Sequence, residues 1–203
     1  MNTHREELVS GINSYFDPHF KQDAVKILPG EYFATRKNTI IVTVLGSCVS
    51  ACLRDPVAKI AGMNHFLLPS DTNPGVQGIT DSARYGNFAM EKLINEMMKL
   101  GARRERIQAK VFGGGNVLKG LTINNIGERN AEFVLDYLAI ENIPLLNADL
   151  LDQYPRKVYF FPDSGRVTVR KIKSLNNTTI LDRESMYRSK LREMINNNDA
   201  ELF

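Results

Sequence analysis

Two residue types capable of covalent chemistry stand at or inside apolar runs in this sequence. Gly46-Ser47-Cys48 closes the run Thr39-Ile40-Ile41-Val42-Thr43-Val44-Leu45, and His65 lies within the apolar run over residues 59–68, which stops at Pro69. A thiolate is the reactive form of cysteine, and a free thiol is mostly protonated at neutral pH. An imidazole within hydrogen-bond reach can take that proton and later return it to a leaving amine. Gly46 lets the backbone bend sharply or approach a substrate closely, and N–H groups at such a bend can stabilise a developing oxyanion. The pattern predicts a hydrolase working through Cys48 and His65. The plainer alternative makes both core residues, because cysteine is often buried as a small hydrophobe.

Other chemistries fit less well. Cys52 lies among Val49, Ala51 and Leu53, and reads as a packed residue. Cys48, Cys52 and His65 lack the second ligand pair of a structural zinc site. His4 and His19 sit in polar surroundings, which predicts exposure. Gly113-Gly114-Gly115-Asn116 follows an apolar run, yet it has neither the Gly-Lys-Ser/Thr of a P-loop nor a full G-x-G-x-x-G; it reads as a closely approached turn. Ser47 lacks the G-x-S-x-G frame of a nucleophile elbow. No cofactor and no metal are expected.

The elements that must position these residues follow from periodicity. Leu8, Ile12 and Phe16 recur at helical spacing, so the first segment reads as a short amphipathic helix. Strands are predicted over residues 31–35, 39–45, 49–53, 59–68 and 107–112, with turns at Pro29-Gly30 and Asp55-Pro56. Residues 70–79 read as a loop. Asp81 or Ser82 can cap a helix whose stripe is Tyr85, Ala89, Leu93 and Met97 and which ends at Gly101. A second helix over 128–141 is predicted to turn Phe133, Tyr137 and Ile140 inward and to stop before Pro144. Residues 157–161 and 166–172 read as a hairpin across Asp163-Ser164-Gly165. Residues 184–196 read as a charged helix, loosely docked. Strands and helices mix without regular βαβ alternation, which predicts the α+β class.

A chain of 203 residues suits one domain with trailing segments. The 26 basic and 23 acidic residues leave a formal charge of +3, too small and scattered to point to nucleic acid. The group Arg103, Arg104, Arg106 reads as a solvated surface. No signal peptide begins the sequence, and no apolar run approaches the roughly 18 residues of a membrane span; the expected location is the cytoplasm. Two cysteines fit a reducing compartment. If their segment is extended, their Cα atoms stand about 13 Å apart, too far for a disulfide.

Beyond these residues, the chain resembles the CheD family of chemoreceptor glutamine deamidases over about residues 30–173. The resemblance is carried by Thr43-Val44-Leu45-Gly46-Ser47-Cys48, Gly62-Met63-Asn64-His65, Arg84-Tyr85-Gly86, Lys110-Val111-Phe112-Gly113-Gly114, Ile126-Gly127-Glu128-Arg129-Asn130 and Ser164-Gly165-Arg166. It implies Cys48 as nucleophile, His65 as its base and an upstream threonine, with Thr43 the nearest candidate, orienting the histidine. It implies an α+β domain with a β-sandwich-like mixed-sheet core and flanking helices, similar to certain toxin deamidases. That domain would span 30–175, between a helical extension over 1–29 and a charged helical tail over 176–203. The implied substrate is a glutamine side chain on the cytoplasmic region of a chemoreceptor, and a CheC-type phosphatase is an implied partner. The competing expectation is a non-catalytic chemotaxis adaptor that keeps the fold and binds receptors or such a phosphatase.

Overall fold

The computed structural model describes residues 13–69, 81–117, 126–172 and 179–196. Its strands are β1 (Asn13–Asp17), β2 (Gln22–Lys26), β3 (Tyr32–Thr35), β4 (Ile40–Leu45), β5 (Val49–Asp55), β6 (Ile60–Asn64), β7 (Gln108–Gly113), β8 (Leu145–Leu150), β9 (Arg156–Phe161) and β10 (Arg166–Lys171). Its helices are α1 (Asp81–Lys99), α2 (Ile126–Ile140) and α3 (Thr179–Asn196). The strands form two five-stranded mixed sheets, ordered β1-β2-β4-β9-β10 and β3-β6-β5-β7-β8. Each is antiparallel except for one parallel pair, β2 with β4 and β7 with β8. The class is α+β, as the element pattern predicts.

Strand alternation explains the layering. Val25, Ile41, Leu45, Val158 and Phe160 of the first sheet meet Cys52, Ala61, Met63 and Phe112 of the second in one buried cluster between the sheets. The opposite face of the second sheet, with Val49, Ala51, Leu53, Ala109 and Val111, packs against α1 and α2 through Met90, Leu93, Ile94, Met97, Val134 and Leu138. The outer face of the first sheet is narrower: Ala24, Ile40, Val42 and Phe161 lie under Phe20. Burial of these apolar faces from water drives the three-layer stack.

Four elements depart from the sequence reading. Residues 13–17 and 22–26 are paired strands rather than part of a helical extension, and Phe16 is 60% exposed; Leu8 and Ile12 lie outside the described residues. At Phe16 helix gives way to the turn at Asp17-Pro18, where proline disfavours helix before it and Asp17 Oδ1 accepts the His19 and Phe20 N–H groups at 3.0 and 3.2 Å. In α2 the buried stripe runs through Asn130, Val134, Tyr137 and Leu138, leaving Ile140 on the far face, 75% exposed. Edge strand β8 has largely exposed side chains, so it lacks the alternation that reveals strands. Of the arginine group Arg103 is exposed, as its sequence suggests, whereas Arg104 binds Glu91 and Glu141 at 2.6 and 2.7 Å and Arg106 binds buried Asp55 at 2.7 Å. No helix among the described residues is long and apolar enough to cross a membrane.

Candidate active site

The chain leaves the first sheet at Leu45 and enters the second at Val49, so Gly46-Ser47-Cys48 is the bridge between the two layers. Three contacts fix its shape. Gly114 N–H donates to Cys48 O and Gly115 N–H to Gly46 O, both at 2.8 Å. The Asn130 side chain of α2 donates to Ser47 O at 2.8 Å and accepts the Leu68 N–H at 2.8 Å. One buried amide thereby ties the turn to the segment that follows His65. Gly113, at φ +116°, lies so close to Cys48 O that a Cβ there would collide with it. The glycine run is thus a closely approached turn, as its sequence suggests, and its role is to seat the cysteine.

His65 arrives beside Cys48 through the β5–β6 pair. That ladder is extended beyond β6 by the reciprocal Val49–Phe66 bridge, with N–H···O distances of 3.0 and 2.9 Å. This register places His65 diagonally across from Cys48, and both are fully buried. Diagonal neighbours on one sheet face are within reach of long side chains.

Thr43 joins them from the first sheet. Along β4, Ile41 and Leu45 face the inter-sheet core whereas Ile40 and Val42 face the outer cluster. Odd-numbered Thr43 therefore points inward, and its Oγ1 lies 2.8 Å from His65 Nδ1 and 2.8 Å from Ile27 O. A carbonyl can only accept, so the single hydroxyl proton goes to Ile27 O. The Nδ1–H must then donate to Thr43 Oγ1, which leaves the lone pair on Nε2. Nε2 is buried and carries no hydrogen bond among the described residues. Burial pulls the His65 pKa down from 6.5 to about 4, against the opposing pull of the Glu184 charge and the Ile27 carbonyl. The ring is neutral at physiological pH.

Sequence reading placed Glu184 in a loosely docked tail; the structure buries it at the site, 3% exposed. Its Oε1 accepts the N–H groups of Gly46 and Cys48 at 2.9 and 3.2 Å, and its Oε2 accepts the Ser47 N–H at 3.2 Å and the Ser47 hydroxyl at 2.6 Å. Successive N–H groups of this kind form an anion nest. The Cys48 thiol is held protonated by burial first, then by the charge of Glu184 and a hydrogen bond to it, with Arg188 opposing. Cys52 is also free, and burial pushes its thiol up. Spacing could have revealed Glu184: with Tyr187 and Leu191 it makes an i, i+3, i+7 stripe on a charged helix. Asn130 closes the Ile126–Asn130 motif that carries the family resemblance, but a lone buried amide in a helix has no periodic signature that gives its role. Among the described residues no cluster of potential metal ligands is present.

The family model for CheD chemotactic sensory transduction matches residues 67–171. A protein of Shewanella oneidensis named probable chemoreceptor glutamine deamidase CheD 1 is 67% identical over 191 residues, covering 94% of this chain and 93% of its own length. Proteins of Laribacter hongkongensis and Thiobacillus denitrificans, both named probable chemoreceptor glutamine deamidase CheD, are 55% and 53% identical. Each alignment takes in 100% of this chain, with 98% and 100% of the respective relative.

Proposed function

Because the chain belongs to the CheD family, we propose that it hydrolyses glutamine side chains of chemoreceptors to glutamate, with Cys48 as nucleophile, His65 as its base and Thr43 as the group that orients the histidine. The observation that carries this reading is the Thr43–His65 hydrogen bond. By holding Nδ1 protonated it reserves the basic Nε2 for the thiol, the arrangement a cysteine hydrolase requires. In the reaction Nε2 takes the thiol proton and the thiolate attacks the side-chain carbonyl of glutamine. The oxyanion is stabilised by N–H groups of the Gly46-Ser47-Cys48 turn. The imidazolium returns the proton to the departing nitrogen, ammonia leaves, and a γ-glutamyl thioester remains. Water hydrolyses the thioester with the same imidazole as base, giving glutamate and the free thiol. On a receptor the product exchanges a neutral side chain for an anionic one, a local electrostatic change that can bias a signalling equilibrium.

The test is incubation with a purified receptor cytoplasmic fragment, read by ammonia release and by peptide mass spectrometry, with a CheC-type phosphatase added or withheld. Wild type should convert specific glutamines, Cys48→Ala should convert none, and His65→Ala should lose about 10²–10⁴-fold in rate. Firm receptor binding by wild type with no site converted would replace the enzyme by the adaptor.

A further inference from the structure

We propose that α3 is a built-in product mimic: it lies where the substrate helix lies, and Glu184 fills the pocket that receives the side chain being hydrolysed. The inference rests on the amidohydrolase reading, whose product is a glutamate side chain. Glu184 is that same chemical group, presented from a helix to the nucleophile. Its Oε1 is held by the N–H of the nucleophile's own residue at 3.2 Å, the donor that an oxygen on the attacked carbon meets in acyl transfer. The seat is fitted to it. A Cβ at position 46 would lie 2.8 Å from Glu184 Oε1, so glycine there leaves room for the carboxylate. Ser47 donates to the same group through both its N–H and its hydroxyl.

The rest of α3 is built to lie in this place. Tyr187 follows Glu184 by three residues, packs over Gly30 and meets the Tyr85 hydroxyl of α1. Leu191, four residues further on, is buried. The stripe Glu184, Tyr187, Leu191 is one face of a helix, Arg188 is half-buried beside it, and Ser185, Met186, Ser189, Lys190 and Arg192 are exposed. With Glu184 in the pocket the carboxylate occupies the Gly46, Ser47 and Cys48 N–H groups, while His65 Nε2 has no partner among the described residues. The N–H groups that would serve an oxyanion are thereby occupied until α3 leaves. A tethered mimic competes at high effective concentration, so an arriving substrate helix must displace it.

Three full-length variants test this. Glu184→Ala should alkylate at Cys48 with iodoacetamide at least about tenfold faster than wild type, with Cys52 still protected as the internal sign of an intact fold, and should release ammonia from a receptor fragment faster. Arg192→Ala, on the exposed face, should match wild type in both. Glu184→Gln places an amide at the nucleophile. The Cys48 thiolate should add to the amide carbon at position 184 and expel ammonia carrying the proton from His65; water should then cleave the thioester to restore glutamate there. Peptide mapping should find that conversion, or the stalled thioester, and neither when Cys48→Ala is added. If wild type deamidates receptor but Glu184→Ala alkylates no faster or loses activity, the mimic is overturned and the function stands. An amide that persists at position 184 in a variant that still converts receptor overturns it too. Faster alkylation with no deamidation by any variant overturns the amidohydrolase reading, and the mimicry with it.

Discussion

Thr43→Val separates shape from hydrogen bonding at the centre of the site. Valine keeps the branched outline but deletes the hydroxyl that now bonds two buried partners, Ile27 O and His65 Nδ1, each at 2.8 Å. Leaving both without a partner would cost about 1–3 kcal/mol each. The Ile27 carbonyl already acts on the His65 ring, so the two orphans can pair imperfectly and the net loss should be nearer one such amount, about 1–3 kcal/mol. For a chain of this size that lowers Tm by roughly 2–12 °C. The effect on rate has a separate origin. When Nε2 takes the thiol proton the ring becomes cationic, and a hydrogen bond from Nδ1–H gains on the order of 1–2 kcal/mol over its neutral counterpart. Losing that gain slows turnover about fivefold to thirtyfold, and release of the tautomer slows it further. Initial rates of ammonia release, thermal unfolding and nitrogen NMR of the His65 ring are the measurements. Thr43→Val should lose rate while staying folded and show mixed ring tautomers; Thr43→Ser should recover most of both. A Thr43→Val enzyme with wild-type rate and a single Nδ1–H tautomer would refute the reasoning.

Two further outcomes follow from the same contacts. The folded pKa of His65, about 4, lies below its ordinary 6.5; the folded state therefore binds fewer protons, and stability must fall as pH drops from 6.5 to about 4 and level off below. The gap corresponds to on the order of 3 kcal/mol, and guanidinium titrations at about pH 7 and 4.5 should show His65→Gln losing less stability than wild type across that window; an equal loss refutes it. Asn130→Ala strands Ser47 O and Leu68 N–H in the interior, which should cost about 2–6 kcal/mol in urea unfolding and lower turnover in the protein that remains folded; wild-type stability would show that the amide does not hold the turn.

Much of the scaffold is legible in the chain because it is local. The β-branched run of β4, the apolar stripe of α1, the hairpin of β9 and β10 and the glycine turn before Asn116 each declare themselves within a few residues, since periodicity and turn chemistry act at short range. Local patterning also marks Cys48 and His65 as candidates, each at or near the end of a buried run. Its failures are physical too. Phe16 falls on a helical spacing yet lies in the strand that the Asp17-Pro18 turn closes, and β8 is an exposed edge whose side chains need no alternation. In α2, a stripe displaced by one residue turns Ile140 to water.

What the sequence could not settle is which atoms meet. Thr43 and Val42 are adjacent in the chain, yet strand alternation sends one hydroxyl toward His65 and the neighbouring side chain to the opposite face; the pairing register of two sheets decides that, not composition. Asn130 comes to the Ser47 carbonyl from 83 residues away and Glu184 to the Cys48 N–H from 136. Such contacts arise from the packing of α2 and α3 on the sheets, and their consequence is electrostatic. A protonated thiol and a neutral imidazole, beside a carboxylate seated on three N–H groups, exist only when those layers close, because burial sets the protonation of the thiol and the ring.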